Sequence, residues 1–270
     1  MNDSKIILLI EKFNSLQLSK NIDFDKFNQY AITHHSTTIE GSTLTETETR
    51  LLLDEGVTPK GKPLNDSLMV KDHFNALQFV IESAKKNKKI SPEFIRQINA
   101  NVMKQTGTVY QTVFGELDSS KGVFRKGNVS AGNSYFVNYD KVEPLVKKLC
   151  EALQKSFKND KTLIQHIDCS FDAHFDLVSI HPFYDGNGRT SRLLMNYLQL
   201  LFKLPMSIVF KEDKAEYFDT LIQTRKEKNL KIFHAFMYSQ YEKYLTLEIT
   251  KAQELNKNKK DKRSNYSFVF

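Results

Sequence analysis

The stretch His181–Arg192 reads HPFYDGNGRTSR, and the rest of the chain is best read outward from it. Upstream, Phe171, Phe175, Leu177, Val178 and Ile180 recur at helical spacing. That helix must stop at His181-Pro182, because the residue before a proline is pushed out of the α region. Gly186, Asn187 and Gly188 then form a tight loop. From Arg189 a second apolar helix runs through Leu193, Leu194 and Tyr197 to Phe202. The predicted unit is helix, glycine loop, helix.

Such a unit is an anion site. The glycines expose backbone N–H groups, and the following helix aims its N-terminus at the same place. Arg189 and Arg192 are three apart and share one face of the first turn. Two cations there oppose the helix dipole unless an anion sits between them, and a polyphosphate meets that requirement. Asp185 is a hard oxygen ligand beside the loop, and Mg²⁺ commonly takes one or two carboxylates together with substrate phosphates. His181, just ahead, is a base that works near neutral pH. Base, metal ligand, phosphate cradle and charge clamp are the parts of phosphoryl-type transfer, which rests on positioning and charge stabilisation. A lone Gly-Asn-Gly turn would carry no such meaning; the whole string does.

Around this unit the dominant period is helical. Ile6, Leu9, Ile10, Phe13 and Leu16 form one stripe; Phe74, Leu77, Val80 and Ile81 another; Phe94, Ile95, Ile98 and Val102 a third, after Ser91-Pro92. Val142, Leu145, Val146, Leu149 and Leu153 form a fourth. Leu163–Ile180, Arg189–Phe202, Asp213–Thr224 and Ile232–Leu255 complete about eight or nine predicted helices. Gly122–Tyr139 breaks the rule: its glycines and its alternation of Val, Phe and Tyr predict a short β-hairpin turning at Ala131-Gly132-Asn133-Ser134. Gly56–Asn65 reads as a loop inside one folded body.

Composition sets the class. The chain has 270 residues, 40% hydrophobic and 26% charged, which excludes wholesale disorder. Ten glycines and two cysteines exclude collagen-like and disulfide-scaffold classes. No run approaches the roughly 18 apolar residues of a membrane span. Met1–Lys12 carries Asp3 and Glu11 and does not read as a signal peptide. Cys150 and Cys169 lie in helical apolar patterns and read as reduced core thiols, so a cytoplasmic location is expected. The net charge of +7 is concentrated in Lys251–Phe270, where six basic residues face two acidic ones. This tail, which closes on Tyr266, Phe268, Val269 and Phe270, reads as a solvated end. With no helix-turn-helix and no aromatic-interleaved basic patch, nucleic acid is not the expected partner, and neither is a membrane.

His181–Arg192 matches the Fic family motif, H-x-F-x-(D/E)-G-N-G-R-x-x-R, at every specified position. Ala173-His174-Phe175 and Leu177–Ile180 upstream, and Leu193-Leu194 downstream, extend the likeness, and the layout resembles the family over roughly residues 65–240. The resemblance implies an all-α Fic-domain helical bundle with a short β-hairpin flap. It also implies transfer of AMP from ATP to a protein hydroxyl, with Mg²⁺. Carried over position by position, His181 would deprotonate the target and Phe183 would anchor the loop in the core. Asp185 would hold Mg²⁺, Gly186, Asn187 and Gly188 would form the anion hole, and Arg189 and Arg192 would bind the β- and γ-phosphates. The flap around Val129–Val137, preceded by Gly122-Val123-Phe124-Arg125, would align a target segment by strand addition.

Ser36-Thr37-Thr38-Ile39-Glu40-Gly41 fits a second family signature, the inhibitory helix (S/T)-x-x-x-E-(G/N), placed ahead of the core. Gly41 can supply a left-handed helix cap. A carboxylate at Glu40 would pair with Arg192 and occupy the place of the γ-phosphate. The expected layout is an N-terminal segment, 1–64, that carries this motif and packs on the core. The Fic core spans 65–240, and a helix end with the basic tail spans 241–270. The leading expectation is therefore an autoinhibited protein adenylyltransferase. The same fold can instead remove AMP or transfer phosphate or another nucleotide. The alternative of a different class is a non-catalytic nucleotide-binding module, which would not need His181. The target protein, its modified residue, self-modification and oligomeric state stay open. Among weaker signals, Tyr217 and Phe218 could line an adenine pocket or pack in the core, and the Asn196 amide could face the nucleotide. The adjacent His34 and His35 point to different helix faces and do not read as a metal pair; His166 and His174 read as structural.

Overall fold

The computed structural model describes residues 3–16, 22–112, 115–132, 134–157 and 161–264. Its helices are α1 (Asp3–Ser15), α2 (Ile22–Ile39), α3 (Glu46–Glu55), α4 (Leu64–Lys85), α5 (Pro92–Val102), α6 (Val142–Ser156), α7 (Leu163–Ile180), α8 (Asn187–Leu201), α9 (Lys214–Glu227) and α10 (Leu230–Ser264). Two small antiparallel ladders lie between α5 and α6: β1 (Val109–Thr112) with β2 (Gly115–Asp118), and β3 (Ser130–Ala131) with β4 (Ser134–Tyr135). The architecture is all-α with a short β flap.

Local sequence starts and stops these helices. Ser91 caps α5 by accepting from Phe94 N–H, with Pro92 in the first turn. Thr162 and Gln165 close a reciprocal capping box on α7, as Thr45 and Glu48 do on α3. Gly56 ends α3 with a left-handed φ of 71° and opens the expected loop.

The apolar stripes meet in one core. Ile6, Ile10 and Phe13 of α1 and Ile32 and Ile39 of α2 join Phe94, Val146, Leu194, Phe233 and Tyr241 in a single cluster. Helix α8 lies at its centre, packed on α7, α4 and α5, and every residue from Arg189 to Gln199 is buried. Burial on all sides is why the polar residues of α8 must find partners inside the protein.

The periodicity reading did not include α2 or α3, and three further features differ from it. The β1–β2 hairpin was not anticipated, because VYQT and GELD are four-residue segments without sustained alternation. The hairpin expected across Gly122–Tyr139 is laddered only at Ser130–Tyr135 and Ala131–Ser134; Asn133 of its turn lies outside the described residues. Helix α10 runs past Leu255 to Ser264. Tyr266, Phe268, Val269 and Phe270 of the tail also lie outside the described residues. Among the described residues no helix is long and apolar enough to cross a membrane. Cys150 and Cys169 are buried free thiols, and burial pushes Cys150 up to about 12.

Candidate active site

The loop between α7 and α8 is built from inside the core. His181 caps α7 in the left-handed region, φ 53°, with its N–H on Leu177 O at 3.0 Å; a residue with a Cβ adopts that conformation rarely. Phe183 is 1% exposed and packs on Phe124. The Asn187 side chain bridges back to Phe183, accepting from its N–H and donating to its carbonyl, both at 2.9 Å. Asn187 thus spends its amide on pinning the loop. Gly186 caps α8 at φ 77°. A Cβ there would meet Asn99 Nδ2 at 2.8 Å and Met103 Sδ at 2.9 Å, so only glycine lets α5 close on the loop. Asn99 uses that closeness, donating to Asp185 O at 3.0 Å and Thr190 Oγ1 at 3.1 Å.

At the N-terminus of α8, the first helical bond is Thr190 N–H to Gly186 O, which leaves the N–H groups before it free of intrahelical partners. Arg189 is 2% exposed and Arg192 is 3% exposed. Arg189 Nη2 lies 3.3 Å from Met103 Sδ and 3.5 Å from Asp185 Oδ1. Arg189 Nε and Nη1 and Arg192 Nη1 have no hydrogen-bond partner among the described residues. Buried guanidinium N–H groups without acceptors are costly and mark a seat for an anion.

Arg192 is otherwise engaged by the last turn of α2 and the residue that follows it. Its Nε donates to Ser36 Oγ at 2.9 Å, and its Nη2 donates to Ser36 O at 3.0 Å and to Glu40 Oε1 at 2.6 Å. Gly41 follows with φ 109°. A Cβ added at Gly188 would run into Glu40 Oε1, so the carboxylate lies against the mouth of α8. Burial acts on the Glu40 carboxyl to raise it, but Arg192 and Arg189 outweigh this and hold it below its ordinary value. Tyr217 backs Arg192 with its ring, 6.0 Å from the guanidinium, and its hydroxyl lies 2.8 Å from His174 Nε2. His174 and His73 are fully buried, and burial, reinforced by Arg192, lowers both imidazoles well below their usual range.

The His181 end is different. The His181 ring makes only a long contact, 3.4 Å from Nδ1 to Val178 O, and Phe136 of the flap stacks on it at 3.8 Å and 13°. Arg125 rivets the flap to the loop. It is 2% exposed; its Nε donates to His181 O at 2.8 Å, its Nη1 to Gly127 O at 2.8 Å and its Nη2 to Val137 O, while its N–H donates to Pro182 O at 2.9 Å. Val129 and Val137 stand half-buried at the two ends of the flap. Burial is the main cause that lowers His181 to about 4; the Val178 carbonyl opposes it, and Arg125 and Arg225 add to it.

Asp185 stands 53% exposed beside this seat, with Oδ1 on Gly186 N–H. Among the described residues no group of three His, Cys, Asp or Glu gathers into a metal site. One open carboxylate next to a phosphate seat nonetheless suits Mg²⁺ held mainly by substrate phosphates and water.

The weaker sequence signals are absorbed by packing. Asn196 donates to Gln199 Oε1 and Ser207 O inside the core. Tyr217 is buried behind Arg192, and Phe218 is partly exposed. His35 accepts from Lys211 N–H, and His166 stacks on Phe202. Arg125, Phe136 and Asn99 were not singled out as functional in the sequence. The one available signal was an arginine two residues ahead of Gly127, in an otherwise apolar Val-Phe context. Tyr184, at a variable position of the motif, stacks on Tyr110 and seats the β1–β2 hairpin on the loop.

Residues 89–199 match the Fic/DOC family. Protein adenylyltransferase Fic of Aedes aegypti is 30% identical over 226 residues, covering 83% of this chain and 42% of that protein. Protein adenylyltransferase fic-1 of Caenorhabditis elegans is 30% identical over 217 residues, covering 79% of this chain and 40% of that protein. The chain thus spans about two-fifths of the length of these curated relatives. The fold is shared with a Fic-domain-containing signalling protein from Bacteroides thetaiotaomicron, with a TM-score of 0.79 at 24% identity over 93% of this chain and 97% of that one. It is also shared with residues 134–508 of Caenorhabditis elegans Fic-1, with a TM-score of 0.74 at 23% identity over 93% and 72%. Residues 89–199 thus form a Fic/DOC domain, set in a fold shared with solved Fic-domain proteins.

Proposed function

We propose that this chain is a protein adenylyltransferase restrained by its own Glu40. The observation that carries the reading is the convergence on one helix mouth of a base, His181, and two buried guanidinium groups with unused N–H donors. The triphosphate of ATP supplies the acceptors that Arg189 and Arg192 lack. In the transfer, a target hydroxyl gives its proton to His181 Nε2. The hydroxyl oxygen bonds to the α-phosphorus, and the bond from that phosphorus to the bridging oxygen breaks, with the electron pair leaving on pyrophosphate. The low value of His181 keeps its imidazole neutral and able to accept at pH 7. The α8 N-terminus and the two arginines stabilise the charge that develops on the phosphates. Asp185 is the residue that would hold Mg²⁺, which when bound neutralises phosphate charge.

Restraint follows from competition. Glu40 holds Arg192 at 2.6 Å, with Oε1 inside contact distance of where a Cβ on Gly188 would stand, so a triphosphate must displace it to engage Arg192. The target is a protein hydroxyl, presented in trans or by another part of this chain, and the flap edge is the place for its backbone. AMP removal is the second reading. The observation behind it is the same Glu40 carboxylate, poised to activate water beside the seat.

The test incubates wild type, Glu40→Gly and Glu40→Gly/His181→Ala with Mg²⁺ and ATP, followed by intact-mass spectrometry with α- and γ-labelled ATP in parallel. The expected result is added AMP carrying the α-label on the Glu40→Gly protein alone. A γ-label would replace the reading with phosphate transfer. Loss of AMP from a premodified protein, dependent on Glu40, would replace it with AMP removal.

A further inference from the structure

The loop leaves the plane of the His181 imidazole weakly defined. Its backbone is set by the left-handed φ of 53°, but its Nδ1 contact to Val178 O, at 3.4 Å, is longer than the usual limit of about 3.2 Å. A base accepts a proton through a lone pair in its ring plane, so a tilt of the ring swings that lone pair away from the target oxygen. The flap supplies what the hydrogen bond does not. Phe136 lies on the imidazole at a centroid distance of 3.8 Å and an interplanar angle of 13°. Stacking covers a face and leaves the ring edge, where Nε2 sits, unblocked by the phenyl group. Arg225 of α9 stands 5.7 Å from the Phe136 ring, with Nη2 3.5 Å from Ser134 Oγ, so the flap aromatic is held from a second element.

We infer that Phe136 is a positioning residue for the base: its ring, laid down by the flap and backed by Arg225, fixes the plane of the His181 imidazole and keeps water off its face. This rests on the reading of His181 as the base and deepens it. The charged groups that act on the ring are Arg125 ahead of the flap, Arg225 on α9 and Glu40 beyond α2. All three stay when Phe136 is truncated, and only the shielding is lost. Burial is the main cause of the lowered His181 value, so a wetted imidazole gains protons at higher pH.

The test is NMR of the full chain labelled with ¹³C-histidine, with the His181 signal identified by its loss in His181→Ala. A stacked phenyl ring shields the imidazole protons. Phe136→Ala should move them downfield and raise the midpoint from about 4 toward the ordinary value of about 6.5. Phe136→Tyr should keep both properties. Phe136→Leu should lose the ring shielding yet keep the midpoint low. In a Glu40→Gly background, transfer by Phe136→Ala should fall about fourfold at pH 6 relative to pH 8. That follows because an imidazole of ordinary pKa is only about one-quarter neutral at pH 6. KM for ATP should not change. A His181 signal and midpoint that stay put in Phe136→Ala overturn the inference. Full transfer by His181→Ala overturns the base assignment instead, and the NMR comparison then still reports on the stack by itself.

Discussion

The two ends of the His181–Arg192 segment are closed in opposite ways. At the C-terminal end, Arg192 is covered by charge and directed hydrogen bonds from Ser36 and Glu40. At the N-terminal end, His181 is covered by an aromatic ring and a long contact to Val178. On the proposed reading, the first closure competes with a ligand for the Arg192 donors, while the second leaves the edge of the His181 imidazole free to accept a proton. Restraint then acts at the Arg192 end and not at the His181 end.

The sharpest way to break this comparison is to remove the base. His181→Ala should lower transfer by about 10²–10⁴-fold while leaving ATP affinity near wild type. Nucleotide binding by calorimetry and transfer by mass spectrometry separate the two effects, and a fully active variant would sink the assignment. Next comes the opposite end. Glu40→Gly removes a charge-assisted bond worth about 1.5–3 kcal/mol, so productive ATP binding should tighten by about 10- to 100-fold. Unchanged affinity and transfer would mean that Glu40 does not compete with the phosphates.

Arg125→Met tests whether the flap depends on its rivet. It loses three side-chain bonds to carbonyls and should cost about 2–4 kcal/mol of stability by urea unfolding. Transfer in the Glu40→Gly background should also fall, because Val137 and the His181 carbonyl are no longer tied together. Arg125→Lys should recover little, since an ammonium cannot span three acceptors as the guanidinium fork does.

The smallest effect is on pH stability. Burial is the main force depressing His73, His174, His35 and His181, the last two to about 3 and about 4. The unfolded chain binds protons at these positions near pH 6.5, where the native state does not. Their contribution is therefore fully present above about pH 6.5 and is lost as pH falls toward the native values. His234 runs the other way. Burial works against its proton, yet Asp172 and Asp168 hold it, so this one imidazole gains as pH falls. The balance predicts a lower urea midpoint at pH 5.5 than at pH 7.5. An unchanged midpoint would contradict the burial of these rings.

Sequence reading went furthest where neighbours in the chain are neighbours in space. Helix α7 was legible to the residue, because its stripe, its Thr162 cap and the His181-Pro182 stop are all local. The Gly186–Gly188 turn and the start of α8 are legible for the same reason; Phe183 as the loop's anchor is what the family resemblance implies, and its apolar ring suits that place. The β1–β2 hairpin is not legible, because its stability comes from seating Tyr110 on Tyr184 and not from its own pattern. The Asn187 side chain bridges back to Phe183, a contact that the motif spacing alone does not show. Asn99, Arg125 and Phe136 gave no periodic signal, since each acts through a partner dozens of residues away.

The helical class, the glycine loop with His181 ahead of it and Arg189 and Arg192 behind it, and the Ser36–Gly41 motif are all legible in the sequence alone. Those properties depend on residue type and short spacing. Only the tertiary structure decided that Glu40 touches Arg192 across 152 positions and that α8 is buried all round. It also decided that Phe136 lies on His181. Contacts between distant segments depend on how whole helices pack, and packing is set by the summed burial of the core, which no local pattern encodes.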